Sequence, residues 1–383
     1  TRLSREEALA DALDEYGTPG QPAAVPPPPA HVDPERGREL YLKNCAACHG
    51  EDGRARVPVE KVDNEGWPIG ARDFTRGIFK GGSRGEDIAR RIWLGMPGTP
   101  MPALPLKQDD LWSIVRHVES LVDHEAESRV LQTRRVLTAR RVPGPLGNDP
   151  DDAAWAQAPV AWIAVMPLWW RHDRIEGLGV QALHDGRRLA LRLTWTDATR
   201  DDELLGQQEF ADAVAVELSA DADPPFFGMG DAASPVTIWQ WKAAWQRDAL
   251  GRPALGDVFP DMPRGELAER GRPQGEVFAT ALAAGNPLSQ PKHGCPVENA
   301  VASGQGTLAT QPEAQGALDG GGRWGDGGWS VVLLRDLQRP AAGDVLPQPG
   351  RTVSIAFAVW DGAAGDRNGS KSVTIWHALE LED

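Results

Sequence analysis

The chain has 383 residues, long enough for two or three domains that each bury a core of their own. Its 55 Asp and Glu against 40 Lys and Arg leave a formal charge of −15, and no Lys/Arg block interrupts that balance. Neither nucleic acid nor an anionic membrane surface is therefore expected as a main partner. No apolar run reaches the ~18–20 residues that cross a bilayer. Three cysteines, two of them in one C-x-x-C-H, cannot build a disulfide framework.

Residues 1–34 read as a short helix followed by a Pro-rich arm. In "SREEALADALDEY", Ser4 is placed to cap a helix, with Leu9, Ala10 and Leu13 on one face; "GTPGQPAAVPPPPAHVDP" then imposes extended, semi-rigid backbone. The arm is expected to be either a disordered leader or a tether for a partner. The start at Thr1 rather than Met fits a processed export signal or a trimmed chain.

Residues 35–123 carry a helical pattern. "PERGRELYLKNCAACHG" opens it and "KQDDLWSIVRHVESLV" closes it, with Leu111, Ile114, Val115, Val118, Leu121 and Val122 at amphipathic spacing and Asp109 or Asp110 expected as the cap. Residues 124–144 form a charged connector. From 145 to 383 the texture changes: "RLALRLTWTD", "DAVAVELSA", "WSVVLLRDL" and "VSIAFAVWDG" are short alternating or β-branched runs bounded by Gly, Asp or Pro. They predict strands of an antiparallel β-sandwich, and the Gly/Pro-rich stretch from about 249 to 328 predicts loops with short elements. The fold expected is thus an all-α domain followed by a mainly antiparallel β-sandwich.

Cys45, Cys48 and His49 form C-x-x-C-H, in which two thiols become thioethers to a c-type haem and the adjacent imidazole becomes an iron ligand. A dithiol redox site would need a βαβ setting, and a zinc site would need further Cys or His nearby. The lone Cys295 reads as a buried or idle thiol. For the second axial position, Met96 and Met101 in "GMPGTPMPAL" both precede proline, and His117 lies on the closing helix.

On these residues, from 35 to 123, the chain resembles the class I cytochrome c family: a helix before C-x-x-C-H, a Met-Pro loop, then a closing helix with an aromatic, here Trp112. The resemblance implies His49 and Met101 as the ligands of the haem c iron, with Met96 as the alternative. A thioether ligand raises the potential and suits electron transfer rather than oxygen chemistry.

The second half resembles the haem b-binding gamma subunits of the type II dimethyl sulfoxide reductase family. It does so through "GNDPDDAAWAQA", "FFGMG", "PVTIWQWKA", "GQGTL", "GRWGDGGWSVVLLRDL" and "FAVWDGAAGDRNGSKSV". That resemblance implies a noncovalent haem b held by methionine and lysine, which map to Met229 and Lys371. Lys242, Lys292 and His293 remain as other candidates. A lysine ligates iron only as the free amine, so its site must lower its pKa by burial, with Phe226, Phe227 and Trp239 as expected walls.

Together the resemblances imply a periplasmic dihaem electron-transfer subunit that is not catalytic alone. Its partners would be a molybdopterin catalytic subunit, an iron–sulfur subunit and a soluble redox carrier, in a setting most similar to nitrite oxidoreductase-type complexes. The alternative is a cytochrome c fused to a carbohydrate- or polymer-binding sandwich with one haem.

Overall fold

A computed structural model of the chain describes residues 24–56, 61–169, 171, 174–204, 206, 208–225, 228–251, 261 and 292–383. The helix expected at 4–16 lies outside the described residues. The chain divides into two compact units, Thr1–Leu131 and Gln132–Asp383.

The first unit is helical. Helix α1 (Pro34–Asn44) starts where the Asp33 carboxylate accepts the N–H groups of Glu35 and Arg36, with proline at its first position. A single turn, α2 (Ala46–His49), follows directly. Helix α3 (Gly85–Leu94) and helix α4 (Gln108–Ser120) complete a core of Leu40, Tyr41, Ile88, Ala89, Ile92, Leu111, Trp112, Ile114, Val115 and Val118. Each fully buried aliphatic side chain of this kind contributes roughly 1.5–3 kcal/mol.

The closing helix begins two or three residues earlier than a cap at Asp109 or Asp110 would place it. Lys107 is its N-cap and makes no side-chain cap bond. Asp109 and Asp110 sit in the first turn, where they complement the helix dipole, and Asp110 accepts from Arg36 Nε at 3.0 Å. Helices α1 and α4 cross at Gly37, where a Cβ would lie 2.1 Å from the Ser113 carbonyl oxygen.

Part of the Pro-rich arm packs on its own unit. The carbonyls of Pro26 and Pro27 accept from Trp112 Nε1 and Gln108 Nε2, each at 2.9 Å, and Val25 and Val32 join the core. Proline carbonyls, freed from any competing local N–H, suit such side-chain donors. Residues 124–144, expected as a connector, carry a helix, α5 (His124–Val130), and a strand, β1 (Val136–Arg141).

The second unit is a mostly antiparallel β structure. The four predicted strands are β5 (Arg188–Thr196), β6 (Ala213–Ser219), β11 (Gly328–Asp336) and β12 (Val353–Trp360). One half of the sheet runs β10 (Leu318–Gly325), β11, β5, β4 (Gly177–His184). The other runs β14 (His377–Leu381), β12, β6, β7 (Val236–Lys242), β8 (Val297–Ala302), β9 (Ala309–Thr310). Strand β1 joins them by pairing parallel with β14 at one end and with β4 at the other, while β2 (Ala161–Ala164) pairs with β4, and β13 (Ser372–Val373) pairs with β12 and with β3 (Met166–Pro167). Leu189, Leu191 and Val331 from the first half meet Val214, Val216, Ile355 and Phe357 from the second in one core, so the halves pack face to face.

Strand β10 was not expected, because "LDGGGRWG" has the composition of a loop. Glycine is required there by close approach: a Cβ on Gly322 would lie 2.4 Å from the Trp241 ring.

Candidate haem centres

In the first unit the chain turns at Cys45, which closes α1, and the i, i+3 spacing brings Cys48 to the same side. Burial, and next the neighbouring Cys48, push the Cys45 thiol up to about 11. Neither Cys45 nor Cys48 is in a disulfide, so both sulfurs are free for thioether formation.

The Nδ1 of His49 lies 3.0 Å from the Arg72 carbonyl oxygen. Burial holds the imidazole below its ordinary pKa, so it is neutral. A neutral ring that donates from Nδ1 keeps the Nε2 lone pair for a metal. Phe74 stacks on the same ring at 4.2 Å, and the Tyr41 hydroxyl donates to Gly50 O at 2.7 Å, tying the end of the motif to the helix before it. The donor set fits a covalent haem with His49 as ligand.

The two methionines part company. Met101 packs against the core cluster that also contains Cys45, whereas Met96 does not. Met96 instead anchors the turn through backbone: its N–H donates to Met101 O at 3.1 Å and its carbonyl accepts Thr99 Oγ1 at 2.8 Å. His117 is a helix-crossing residue, its ring 4.8 Å from that of Tyr41 and its Nε2 buried without a partner.

In the second unit, strand register decides which side chains share a face. Glu217 pairs with Ala356 and Ile238, Ala215 with Ala358 and Gln240, and Ala213 with Trp360 and Lys242. Paired residues point to one side of a sheet. This face, opposite to the one that builds the sandwich core, therefore carries Ala213, Ala215, Ala356, Ala358, Trp360 and Glu217, with Ile238, Gln240 and Lys242 beside them and Glu298 one strand further.

The Met229 turn reaches the Glu217 carboxylate through its backbone, and Lys371 lies near enough to interact with its charge. The Met229 N–H donates to Glu217 Oε1 at 2.6 Å. The Lys371 ammonium lies 5.0 Å from the centre of the Trp360 ring, and its charge interacts with Glu217. Burial lowers the Lys371 pKa, partly opposed by Glu217; burial raises that of Glu217, partly opposed by the Met229 N–H and then by Lys371. Lys371, half-buried with a lowered pKa over Trp360, and the Met229 turn held by Glu217 both border this face, and a thioether and an amine are a donor set that fits a noncovalent haem.

The other candidates are engaged elsewhere. Lys242 pairs with Glu298 and lies over Trp245 at 4.1 Å. His293 Nδ1 lies 2.8 Å from Asp248 and its ring stacks on Trp245. Phe226 and Phe227 lie outside the described residues. Trp239, expected as a wall, sits in the sandwich core instead, because it pairs with Val216 on the opposite face from Glu217. Trp360 takes that place. Neither Glu217 nor the role of Trp360 was read from sequence; the signal available was an unpaired acidic residue in the otherwise apolar run "AVAVELS".

Among the described residues no helix is long and apolar enough to cross a membrane.

The helical unit with its C-x-x-C-H motif and the β unit that follows it in the chain define a haem-carrying electron-transfer subunit rather than the catalytic one. The chain belongs to the ethylbenzene dehydrogenase family, whose model matches residues 154–372, and a cytochrome c model matches residues 34–122.

Three curated relatives are similar to it. Dimethylsulfide dehydrogenase subunit gamma of Rhodovulum sulfidophilum is 30% identical over 286 residues, covering 72% of this chain and 87% of that one. Chlorate reductase subunit gamma of Ideonella dechloratans is 28% identical over 266 residues, covering 67% and 89%. A chain of Haloferax mediterranei, assigned by its name to respiratory nitrate reductase as a heme subunit, is 29% identical over 205 residues and 53% of this chain. The chain spans about half the length of that last relative, 55%. These homologues place the chain among the gamma subunits of the type II dimethyl sulfoxide reductase family.

Proposed function

We propose that the protein is a periplasmic dihaem gamma subunit, with haem c on Cys45, Cys48, His49 and Met101 and haem b on Met229 and Lys371. The observation that supports the second haem is that the Met229 turn and Lys371, from distant segments, come to one half-buried strand carboxylate, Glu217, which bonds the Met229 N–H and interacts with the Lys371 charge. When bound, each haem supplies a one-electron couple set by its axial ligands and its burial. The chain's own part is to hold donors: His49 kept neutral and oriented by Arg72 O, Met101 seated in the apolar core, and Lys371 biased toward the free amine by burial.

In this reading the partners are an iron–sulfur subunit and a molybdopterin catalytic subunit on one side and a soluble redox carrier on the other. One gamma-subunit relative is named for a reductase and another for a dehydrogenase, so the same scaffold serves either direction of flow. The fused c-type unit favours a nitrite oxidoreductase-type assembly as the setting.

Acid–acetone extraction of the purified protein, followed by pyridine haemochrome spectra of extract and pellet, tests this. One extractable haem b and one retained haem c per chain are expected. Retained haem c alone, in protein matured with ample haem, would favour a cytochrome fused to a carbohydrate- or polymer-binding sandwich.

A further inference from the structure

We propose that Glu217 is a positioning residue of the haem b site: its carboxylate clamps the turn that presents Met229, on the strand face shared with Lys371. This rests on the reading of Met229 and Lys371 as the iron ligands and goes beyond it by assigning what holds the methionine in place.

A carboxylate in the middle of a strand, flanked in register by Ala356 and Ile238, is costly to bury unless hydrogen bonds or opposite charge offset its desolvation. Glu217 meets the first condition: its Oε1 accepts the Met229 N–H at 2.6 Å. Its second oxygen lies against the preceding residue: a Cβ built on Gly228 would stand 2.9 Å from Oε2. The two carboxylate oxygens thus cover the backbone of 228 and 229 together.

Met229 needs such a clamp. Its φ of 78° is in the left-handed region, which is strained for a side-chain-bearing residue. The turn is held at both polar groups, since the Met229 carbonyl accepts the Gly304 N–H at 2.8 Å while the N–H goes to Glu217. With the peptide groups on either side fixed, the direction of the Cα–Cβ bond is fixed as well. A hydrogen bond to a carboxylate is about twice as strong as one between neutral groups, so it suits a strained turn. Strain maintained at one residue by partners on two other segments is the pattern of a ligand-presenting turn rather than of a loop that merely connects.

The experiment compares the full-length wild type with Glu217→Ala, Glu217→Gln and Gly228→Ala, all matured with ample haem. The readouts are extractable haem b, the spectral signature of methionine ligation and the midpoint potential of the noncovalent haem. Redox titration resolves these from haem c, whose retention checks folding. Glu217→Ala is expected to lose the methionine signature and to lower the potential, because thioether ligation raises it. Glu217→Gln, which keeps an acceptor for the Met229 N–H, is expected to restore both. Gly228→Ala, which pushes on the carboxylate from the other side, is expected to weaken the signature, and it decides the matter if Glu217→Ala does not accumulate.

Methionine-ligated haem b in the wild type that is unchanged in Glu217→Ala, or in Gly228→Ala where that variant decides, overturns the role of Glu217 alone. A wild type without extractable haem overturns the ligand reading and this proposal with it.

Discussion

The Nδ1 of His49 is 3.0 Å from the carbonyl oxygen of Arg72, a residue outside the attachment motif. A backbone carbonyl cannot donate, so the contact selects the tautomer that carries its proton on Nδ1. The imidazole is thereby directed before any metal is bound, and the remaining question in that unit is which methionine completes the pair.

Met101→Ala is expected to convert haem c from a low-spin six-coordinate spectrum to a high-spin one and to lower its potential, since a thioether ligand is lost. Met96→Leu is expected to leave both unchanged, because Met96 works through its backbone N–H and carbonyl. Absorbance spectra of the oxidised and reduced proteins distinguish the two.

Lys371→Arg keeps a positive charge toward Glu217 but removes the possibility of a free amine, because a guanidinium does not deprotonate in proteins. The low-spin spectrum of the noncovalent haem should disappear while haem c and the far-UV dichroism of the sheet stay as in the wild type. A Lys371→Arg protein with an unaltered haem b spectrum would assign the second ligand to another residue.

Asp212 and His377 give the sandwich opposing pH slopes. Asp212 is fully buried, and burial, augmented by Asp197 and offset by N–H donors from Gly362, Asp201 and Trp329, raises its pKa from 3.8 to about 7. Between those values the folded chain binds more protons than the unfolded chain, so this group's contribution falls as pH rises. Burial, and next Arg135 and Arg134, lower His377 from 6.5 to about 4; there the unfolded chain binds more protons, and stability rises with pH. Asp212→Asn should therefore make urea midpoints climb more steeply from about pH 4.5 to 6.5, and His377→Gln should make them fall. The Asp212 contribution is on the order of 2–4 kcal/mol over its whole window.

Gly37→Ala tests the crossing of α1 and α4. A methyl group 2.1 Å from the Ser113 carbonyl oxygen forces the helices apart, at a cost of about 1–3 kcal/mol. Thermal unfolding followed at the haem c absorbance should show a lower midpoint for the helical unit, with little change in the melting of the β unit.

Local chemistry was legible in the sequence, and its limits follow the same physics. The four strands with β-branched alternation fall where their pattern predicts, since that pattern reflects burial on a pleated surface. Strand β10 was hidden because its side-chain signal was given up to let Trp241 approach the backbone. The cap of α4 was misplaced because two acidic residues favour the first helical turn as well as the capping position. Trp239 was assigned to the wrong face because a one-residue change of register reverses every side chain of a strand.

By itself the sequence determined the C-x-x-C-H motif of Cys45, Cys48 and His49. Two thiols and an imidazole within one turn need no long-range pairing to act on one group. Tertiary structure alone decided the rest of the donor geometry. Arg72 O orients His49 across a loop, and pairing of β6 with β12 and β7 sets Glu217 between Ala356 and Ile238, where it bonds the Met229 N–H and interacts with the Lys371 charge from distant segments. Spacing along the chain carries no information about such meetings, because strand register and burial, not sequence separation, determine which buried polar groups must satisfy one another.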